Sequence, residues 1–318
     1  MLPWVHLREP SILIVHPDRK TQRLVQRILG VTGYRVDVAD ELEQGIRLLQ
    51  HETPLLVVVD GTAAVSPHAD AFFTAAQQRG AEACMTLLTP SDAKEHVPRI
   101  LSLGAITNLL VHPMPVLAEE LTITAQKLIR RDLFGAEKYL LWGTELHAHT
   151  LKNANERAHL VAALAESVRA RGQSARVASM AMLVADELLS NAVHNAPIDA
   201  SGAYFRKDAS RDIAVDLDGR HAVTMRWGCD ARYLAIEVSD QFGTLDRETI
   251  LRSLSKNDVR ESGAGAGMGM SLSYRSSDHL VFNLSPGKRT EIIALIDVRY
   301  PPSERTPVSS YNVFVERT

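Results

Sequence analysis

The sequence predicts two architectures in succession: a doubly wound α/β domain with a parallel five-stranded sheet, and then an α+β sandwich. In the first part, continuous apolar runs rich in β-branched residues alternate with amphipathic helix patterns, which is typical of a parallel sheet covered on both faces. In the second part, two helices precede a series of strands broken by turns, which is typical of helices packed on one face of a mixed sheet. A chain of 318 residues is long enough for both domains.

The parallel sheet is predicted from five strand-like segments, most of them apolar runs. They span residues 11–15, 35–38, 55–60, 85–89 and 106–111. Helix patterns occur over residues 20–31, 41–50 and 116–130. Strand and helix therefore alternate through residues 1–131, which we interpret as the first domain.

The elements of the second part are grouped by type. Helices are expected over residues 157–171 and 177–194, and strands over residues 224–227, 233–239, 279–284 and 290–296. We interpret residues 153–299 as the second domain. A helical linker is expected over residues 132–152, and a loosely ordered, proline-containing tail over residues 300–318.

Composition favours a cytoplasmic protein of ordinary charge. The formal net charge of −3 provides no electrostatic reason to expect nucleic acid as a partner. No apolar run reaches the length of a membrane span, and the first residues lack the pattern of a signal peptide. Cys84 and Cys229 fall in different predicted domains, so they predict neither a disulfide framework nor a zinc site.

The segment over residues 186–192 (DELLSNA) is the first candidate for a binding site. Glu187 and Asn191 are four residues apart in a strongly helical stretch, so they share one face of the helix, one turn apart. The amide oxygen of Asn191 suits Mg²⁺ held between phosphate oxygens, and Glu187 could orient or deprotonate a nucleophile. The alternative is an exposed polar stripe on an amphipathic helix.

The segment over residues 236–243 (IEVSDQFG) is the second candidate. A strand ends at Asp240, and Gly243 makes the turn. A partly buried carboxylate at this place can accept the amino hydrogen of adenine. The alternative is an aspartate that caps its own loop.

The segment over residues 263–272 (GAGAGMGMSL) is the third candidate. Four glycines at alternate positions precede a helix pattern, and glycine allows backbone N–H groups to approach phosphates at a helix N-terminus. The segment lacks the Gly-Lys-Ser/Thr ending of a Walker loop and does not directly follow a strand as a Rossmann fingerprint does. A flexible hinge is the alternative.

In this order, the three segments resemble the N, G1 and G2 boxes of the gyrase/histidine-kinase ATPase superfamily. The resemblance covers most of residues 155–298 and implies binding of ATP or ADP with Mg²⁺. The matching residues are Glu187 and Asn191 in the N box, Asp240 and Gly243 in G1, Gly265, Gly267 and Gly269 in G2, and Thr290 on a late strand near the adenine. In one departure, Phe242 stands where the family has the glycine of Asp-x-Gly.

The branch of the superfamily follows from what precedes the N box. His147, His149 and His159 are available, but the preceding sequence is too short for a phosphoacceptor hairpin, and surface or linker roles are favoured for all three. The second domain is more similar to serine-kinase anti-sigma factors. This resemblance implies a protein partner, such as a sigma factor or an anti-anti-sigma-like protein, and Glu187 as the catalytic base.

The first domain resembles a response-regulator receiver domain. Asp60 ends the third predicted strand, where the family has its phosphoacceptor, and Thr89 and His112 end the fourth and fifth. The family's acidic pair for Mg²⁺ is reduced to Asp18, and His112 replaces a lysine, so both charges needed for phosphoryl transfer are weakened. A degenerate receiver used for docking is favoured, with phosphorylation at Asp60 or simple capping by Asp60 as alternatives.

These resemblances lead to three hypotheses. In the first, the chain is a signalling regulator in which ATP controls the face that binds a protein partner, which could include a second copy of the chain. In the second, it is a protein serine kinase. In the third, it is a phosphorelay protein phosphorylated on Asp60. The sequence names neither the partner nor the signal.

Overall fold

The computed structural model divides into two compact units, Met1–Asp132 and Leu133–Thr318. It describes residues 11–112, 118–199, 201–204, 206, 216–255, 269–299 and 308–316. Among these residues, no helix combines the length and the apolar character that crossing a membrane requires.

In the described part of the first unit, five parallel strands lie in the order β2-β1-β3-β4-β5. They are β1 (Ser11–Val15), β2 (Arg35–Ala39), β3 (Pro54–Asp60), β4 (Ala83–Leu88) and β5 (Asn108–Val111). This is the order of the flavodoxin-like doubly wound fold, to which receiver domains belong. Every residue of β1 and β4 is buried, as expected for strands covered on both faces. The predicted parallel sheet is confirmed.

The helices of the first unit begin where its strands end. They are α1 (Arg19–Gly30), α2 (Leu42–Leu49), α3 (Gly61–Ala64), α4 (Ala69–Gln78), α5 (Pro90–Leu103) and α6 (Ala118–Arg130). The predicted fourth strand began two residues late and ended one residue late, because Pro90 begins α5 and Thr89 is its N-cap. Asp60 likewise ends β3 and caps α3.

The described strands of the second unit form a mixed sheet in the order β11-β9-β10-β8-β7-β6. They are β6 (His147–Leu151), β7 (Val223–Cys229), β8 (Tyr233–Asp240), β9 (His279–Ser285), β10 (Arg289–Asp297) and β11 (Ser310–Val315). The pairing is antiparallel except between β9 and β11, which are parallel.

Helices cover one face of this sheet, which we call the inner face. The helices are α7 (Glu156–Ala170), α8 (Ala175–Ser190), α9 (Arg247–Ser255) and α10 (Gly269–Ser276). Trp227 donates to Ser167 of α7 at 3.4 Å, and the ring of Tyr311 lies 6.3 Å from that of Tyr274 in α10. Helix α8 packs against both α7 and α10. Because side chains alternate along a strand, the intervening residues point to the opposite, outer face.

Two predictions about the connecting segments were wrong. The expected helical linker contains a single 3₁₀ turn, Ala136–Tyr139, and the edge strand β6. The expected loose tail contains β11, in which Tyr311 and Phe314 are buried on opposite faces of the sheet. Helical pattern and proline content were the signals used, but pairing with a neighbouring strand decided the structure of both segments.

We expect the last strand to be required for the stability of the second unit. Tyr311→Ala empties a fully buried site and should lower the free energy of unfolding by about 3–5 kcal/mol. The control Val315→Ala, at a residue 45% exposed on the same strand, should change it by less than about 0.5 kcal/mol. Urea unfolding followed by tryptophan fluorescence measures both. Equal, small effects would show that β11 contributes no packing.

Candidate functional site

Glu187 and Asn191 lie one helical turn apart, as their spacing predicts. Ser174 is the N-cap of helix α8, and its hydroxyl accepts the N–H of Val177. The backbone of Asn191 has φ −63° and ψ −45°, so the helical path continues through it. A π-helical turn follows, in which the N–H of Ala196 donates to the carbonyl of Asn191 at 3.0 Å. Such widened turns are frequent at functional sites.

The side chain of Asn191 suits a ligand that offers hydrogen-bond acceptors. Its Oδ1 accepts from Nδ2 of Asn195 at 2.7 Å, whereas its own Nδ2 is buried and has no hydrogen bond among the residues that the structure describes. A buried donor without a partner costs about 1–3 kcal/mol, so a phosphate oxygen or an ordered water is expected beside it. Mg²⁺ would need the amide oxygen instead: Oδ1 accepts one hydrogen bond from Asn195 and keeps a second lone pair that a cation could use.

Asp240 lies at the end of β8, directly opposite Thr290 of β10. Its Oδ1 accepts the N–H groups of Phe242 at 2.8 Å and Gly243 at 3.3 Å. Burial raises the pKa of Asp240 to about 6, although these N–H groups favour the carboxylate. The hydroxyl of Thr290 is buried without a hydrogen bond of normal geometry, yet it lies close enough to favour the ionised form. A buried, ionisable acceptor beside a hydroxyl can recognise an amino group.

The turn after Asp240 depends on glycine at position 243. Gly243 has φ +61°, and a Cβ there would lie 2.6 Å from the backbone nitrogen of Lys288. Its carbonyl accepts the N–H of Gly287 at 3.0 Å. The bulky neighbour Phe242 is buried against His221, with ring centroids 5.3 Å apart. The side chain that departs from the family pattern therefore packs against the 3₁₀ turn before β7.

The carboxylate of Glu187 lies against Gly269, the first residue of α10. A Cβ at Gly269 would overlap Oε2 of Glu187, so a larger residue there would require the Glu187 side chain to move away. Gly265 and Gly267 lie outside the described residues. Helix α10 begins at this contact, and helix N-termini attract anions through their free N–H groups and dipole.

Three contacts bring the separated segments together. Glu187 touches Gly269, the hydroxyl of Thr244 donates to the carbonyl of Ala196 at 2.9 Å, and Asp240 pairs with Thr290. The candidate residues from α8, the turn after β8, α10 and β10 thus form one continuous region on the inner face.

Several residues of this region were not predicted from the sequence to belong to the site. Asn195 bonds Asn191, Thr244 joins the turn after β8 to the end of the π-helical turn, and the buried hydroxyl of Ser190 has no hydrogen bond. The spacing of Asn195 from Asn191 was a usable signal. Thr244 carried none, because its partner is 48 residues away.

In the first unit, His16 and Asp60 face each other. Nε2 of His16 lies 3.4 Å from Oδ1 of Asp60, while Nδ1 accepts the N–H of Asp18 at 3.0 Å. Burial lowers the pKa of His16, with Asp60 and Asp18 opposing it. Because Nδ1 accepts an N–H, this geometry corresponds to the tautomer that carries its hydrogen on Nε2, on the side of Asp60.

The two carboxylates predicted for receiver chemistry serve as helix caps. Oδ2 of Asp60 accepts the N–H groups of Thr62 at 3.0 Å and Ala63 at 3.1 Å. Asp18 accepts both the N–H and the hydroxyl of Thr21, at 2.8 and 2.7 Å, which holds its pKa below the usual value. The geometry of Asp60 therefore agrees with the alternative in which this residue caps the turn that follows its strand.

Thr89 and His112 border the same cavity as His16 and Asp60, with a volume of about 140 Å³. The hydroxyl of Thr89 donates to Asp92 at 2.5 Å, within the first turn of α5. Asp92 was missed, although the Thr-x-x-Asp spacing resembles a capping box. Asp18 does not line this cavity. In the part of the chain that the structure describes, no group of three acidic, histidine or cysteine side chains is placed to hold a metal ion.

The three histidines before or near the N box have surface positions. His147 and His149 lie on the edge strand β6, where His149 contacts Glu156 at 3.1 Å, and His159 is exposed on α7. His159 belongs to the helix pair α7 and α8, which covers the sheet of the second unit, and the other two histidines lie on a strand.

Comparisons with solved structures find receiver domains. Similar chains include a response regulator receiver domain protein from Clostridium thermocellum (17% identity, TM-score 0.32, 38% of this chain and 95% of that chain). Another is the receiver domain of the TMAO respiratory system response regulator TorR (20% identity, TM-score 0.33, 38% of this chain and 98% of that chain). A third is a signal receiver domain of an HD domain-containing protein from Pseudomonas fluorescens Pf-5 (19% identity, TM-score 0.33, 39% of this chain and 89% of that chain). No family model and no curated protein matches the chain.

We expect Asp60 to take up little or no phosphoryl group from acetyl phosphate. Both its oxygens are engaged, by His16 and by α3, and the receiver's acidic pair and lysine are absent. The triple variant His16→Asp, Pro17→Asp, His112→Lys should recover labelling, measured on a phosphate-binding gel with Asp60→Ala as the blank. Efficient labelling of the unmodified chain would contradict this prediction.

We expect Asp240→Asn to stabilise the fold above pH 6. In the folded state the carboxyl holds its proton up to a pH of about 6, so the wild type loses stability as the pH rises from about 4 to 6. The advantage of the variant should be near zero at pH 4 and reach about 2–3 kcal/mol at pH 7. Urea unfolding at both pH values measures it, with the exposed Asp70→Asn as control. A variant less stable at pH 7 would mean that Asp240 is structural.

Proposed function

We propose that the second unit binds ATP or ADP with Mg²⁺ and that the chain is a signal-transduction regulator whose nucleotide state controls a protein partner. The observation that carries this proposal is the contact between Glu187 and Gly269, since it joins the N-box and G2 candidates, which are distant in sequence. The pairing of Asp240 with Thr290 supports it independently.

Each candidate residue has a role that its surroundings support. Asp240 would accept the adenine amino group, with Thr290 beside it. The start of α10 would receive phosphate oxygens through its N–H groups. Asn191 would contribute an amide oxygen to Mg²⁺, whose charge offsets that of the phosphates.

The first unit would serve as an input or docking module. The receiver domains that it resembles in fold are named as parts of response regulators, which motivates a role in signalling. Because Asp60 and Asp18 act as caps, we propose contact with other proteins rather than phosphorylation as the use of this unit. A sigma factor or an anti-anti-sigma-like protein is the kind of partner that the resemblance of the second unit implies.

Calorimetry with the full-length chain tests nucleotide binding. ATP should give a heat that is larger with Mg²⁺, and Asn191→Ala should remove the metal-dependent part. Asp240→Asn should reduce the preference for ATP over GTP, because an amide offers the base a different pattern of donors and acceptors. The control Asn155→Ala changes an exposed residue that caps no N–H group. A folded wild type without any nucleotide heat would exclude the proposal.

A protein serine kinase is the second candidate function. It is favoured by the position of Glu187 beside the start of α10, where it could orient a nucleophile next to bound phosphates without touching the base. Glu187→Gln should then lower phosphoryl transfer to a partner by about 10²–10⁴-fold and leave ATP affinity nearly unchanged. Labelled ATP with cell extract measures the transfer. Equal loss of affinity and transfer would assign Glu187 a structural role.

A further inference from the structure

The outer face of the second unit's sheet contains two buried carboxylates that the proposed function does not use. Glu237 of β8 is 1% exposed and Glu291 of β10 is 0% exposed. Arg226 lies 3.1 Å from Glu237, and Arg289 lies 2.6 Å from Glu291. Burial, followed by the charge of Glu291, raises the pKa of Glu237. Neighbouring buried charges are costly, so their surroundings must supply well-placed donors.

Besides the two arginines and the amide of Asn283, which donates to Oε1 of Glu291 at 2.7 Å, the donors come from a short segment before the sheet. This segment, residues 134–137, we call the strap. The N–H of Gly135 donates to Oε1 of Glu291 at 2.8 Å, and the N–H of Ala136 donates to Oε2 of Glu237 at 2.9 Å. Gly135 has φ +105°, a conformation that favours glycine and that turns both amides toward the sheet. The strap is therefore attached by its backbone to two carboxylates on adjacent strands.

Arg289 connects the strap to the candidate nucleotide site. Its guanidinium bonds Glu291 and lies 4.5 Å from the ring centroid of Phe134 in the strap. Its backbone nitrogen packs against the turn after β8, where a Cβ on Gly243 would lie only 2.8 Å away. The next residue, Thr290, faces the inner side opposite Asp240. A continuous series of contacts thus runs from the G1 turn through Arg289 to the strap.

We propose that nucleotide bound at the G1 turn strengthens the attachment of the strap to the outer face, so that the strap responds to nucleotide occupancy. This proposal rests on the proposed function. A ligand shifts such an equilibrium only if it favours one state, and here the preference arises because an ordered G1 turn fixes the backbone of Arg289. The strap lies near the start of the second unit, which begins at Leu133.

Hydrogen exchange of the full-length chain tests the response. With Mg²⁺ and a non-hydrolysable ATP analogue, the amides of Gly135 and Ala136 should gain about 5- to 150-fold protection, the usual range for coupled sites. Because coupling is reciprocal, weakening the strap should weaken binding of the analogue by up to the same factor.

Two variants weaken the strap in different ways. Glu291→Gln removes a charge from the sheet. Ala136→Pro removes only the N–H that Glu237 accepts, and proline is favoured at the first position of a helical turn such as Ala136–Tyr139. The matched control is Glu166→Gln on the exposed side of α7. Both strap variants should bind the analogue more weakly, by at least about 5-fold, while the control binds like the wild type.

The possible outcomes separate the two proposals. If the analogue binds the wild type but exchange in the strap is unchanged, or if Ala136→Pro binds as tightly as the wild type, the strap proposal is wrong and the proposed function stands. If the wild type binds no analogue, both proposals are wrong. Should Glu291→Gln not fold, Ala136→Pro decides the question alone.

Discussion

The antiparallel register between β8 and β10 is the constraint on which the second unit depends. Thr290 stands opposite Asp240 and Glu291 opposite Ser239, so the residues proposed for nucleotide binding face the helices. Glu237 and Glu291 consequently face the other way. A slip of one residue would exchange the two faces of a strand and place its charged side chains among the apolar helix contacts. Both regions therefore result from one pairing of strands.

The two faces compensate their buried charges to different degrees. On the outer face, Glu237 and Glu291 each have an arginine and a backbone N–H from the strap. On the inner face, Asp240 has two short-range N–H groups, a nearby hydroxyl and the charge of Arg289, but burial outweighs them and raises its pKa to about 6. An incompletely compensated carboxylate is expensive for the fold but available to a ligand, which is common at functional sites.

In the first unit, the sheet and the residues at the strand ends depend on different interactions. Its sheet is stabilised by apolar strands buried on both faces, and this packing does not involve the residues at the strand ends. Asp18 and Asp60 accept N–H groups at the starts of α1 and α3. Such caps contribute about 0.5–2 kcal/mol each, which is a sufficient physical reason to retain these aspartates. Their presence is therefore weak support for phosphorylation.

Much of the local structure could be predicted because short-range patterns determine it. Most strands of the first unit follow from continuous apolar runs. Glu187 and Asn191 lie one helical turn apart because they are four residues apart in a helical segment. Strand β11 and the linker were mispredicted because β6 and β11 owe their conformation to partner strands far away in sequence. Local composition does not contain that information.

The sequence by itself predicted the strands of the parallel sheet, the two long helices of the second unit and the candidate residues Glu187, Asn191, Asp240 and Thr290. Only the tertiary structure decided which of these residues meet, that Asp60 caps a helix, and that Glu237 and Glu291 hold the strap. The physical reason is that a helix or a cap depends on neighbours within a few residues. The pairing of strands and the burial of charge depend on groups that only the folded chain brings together.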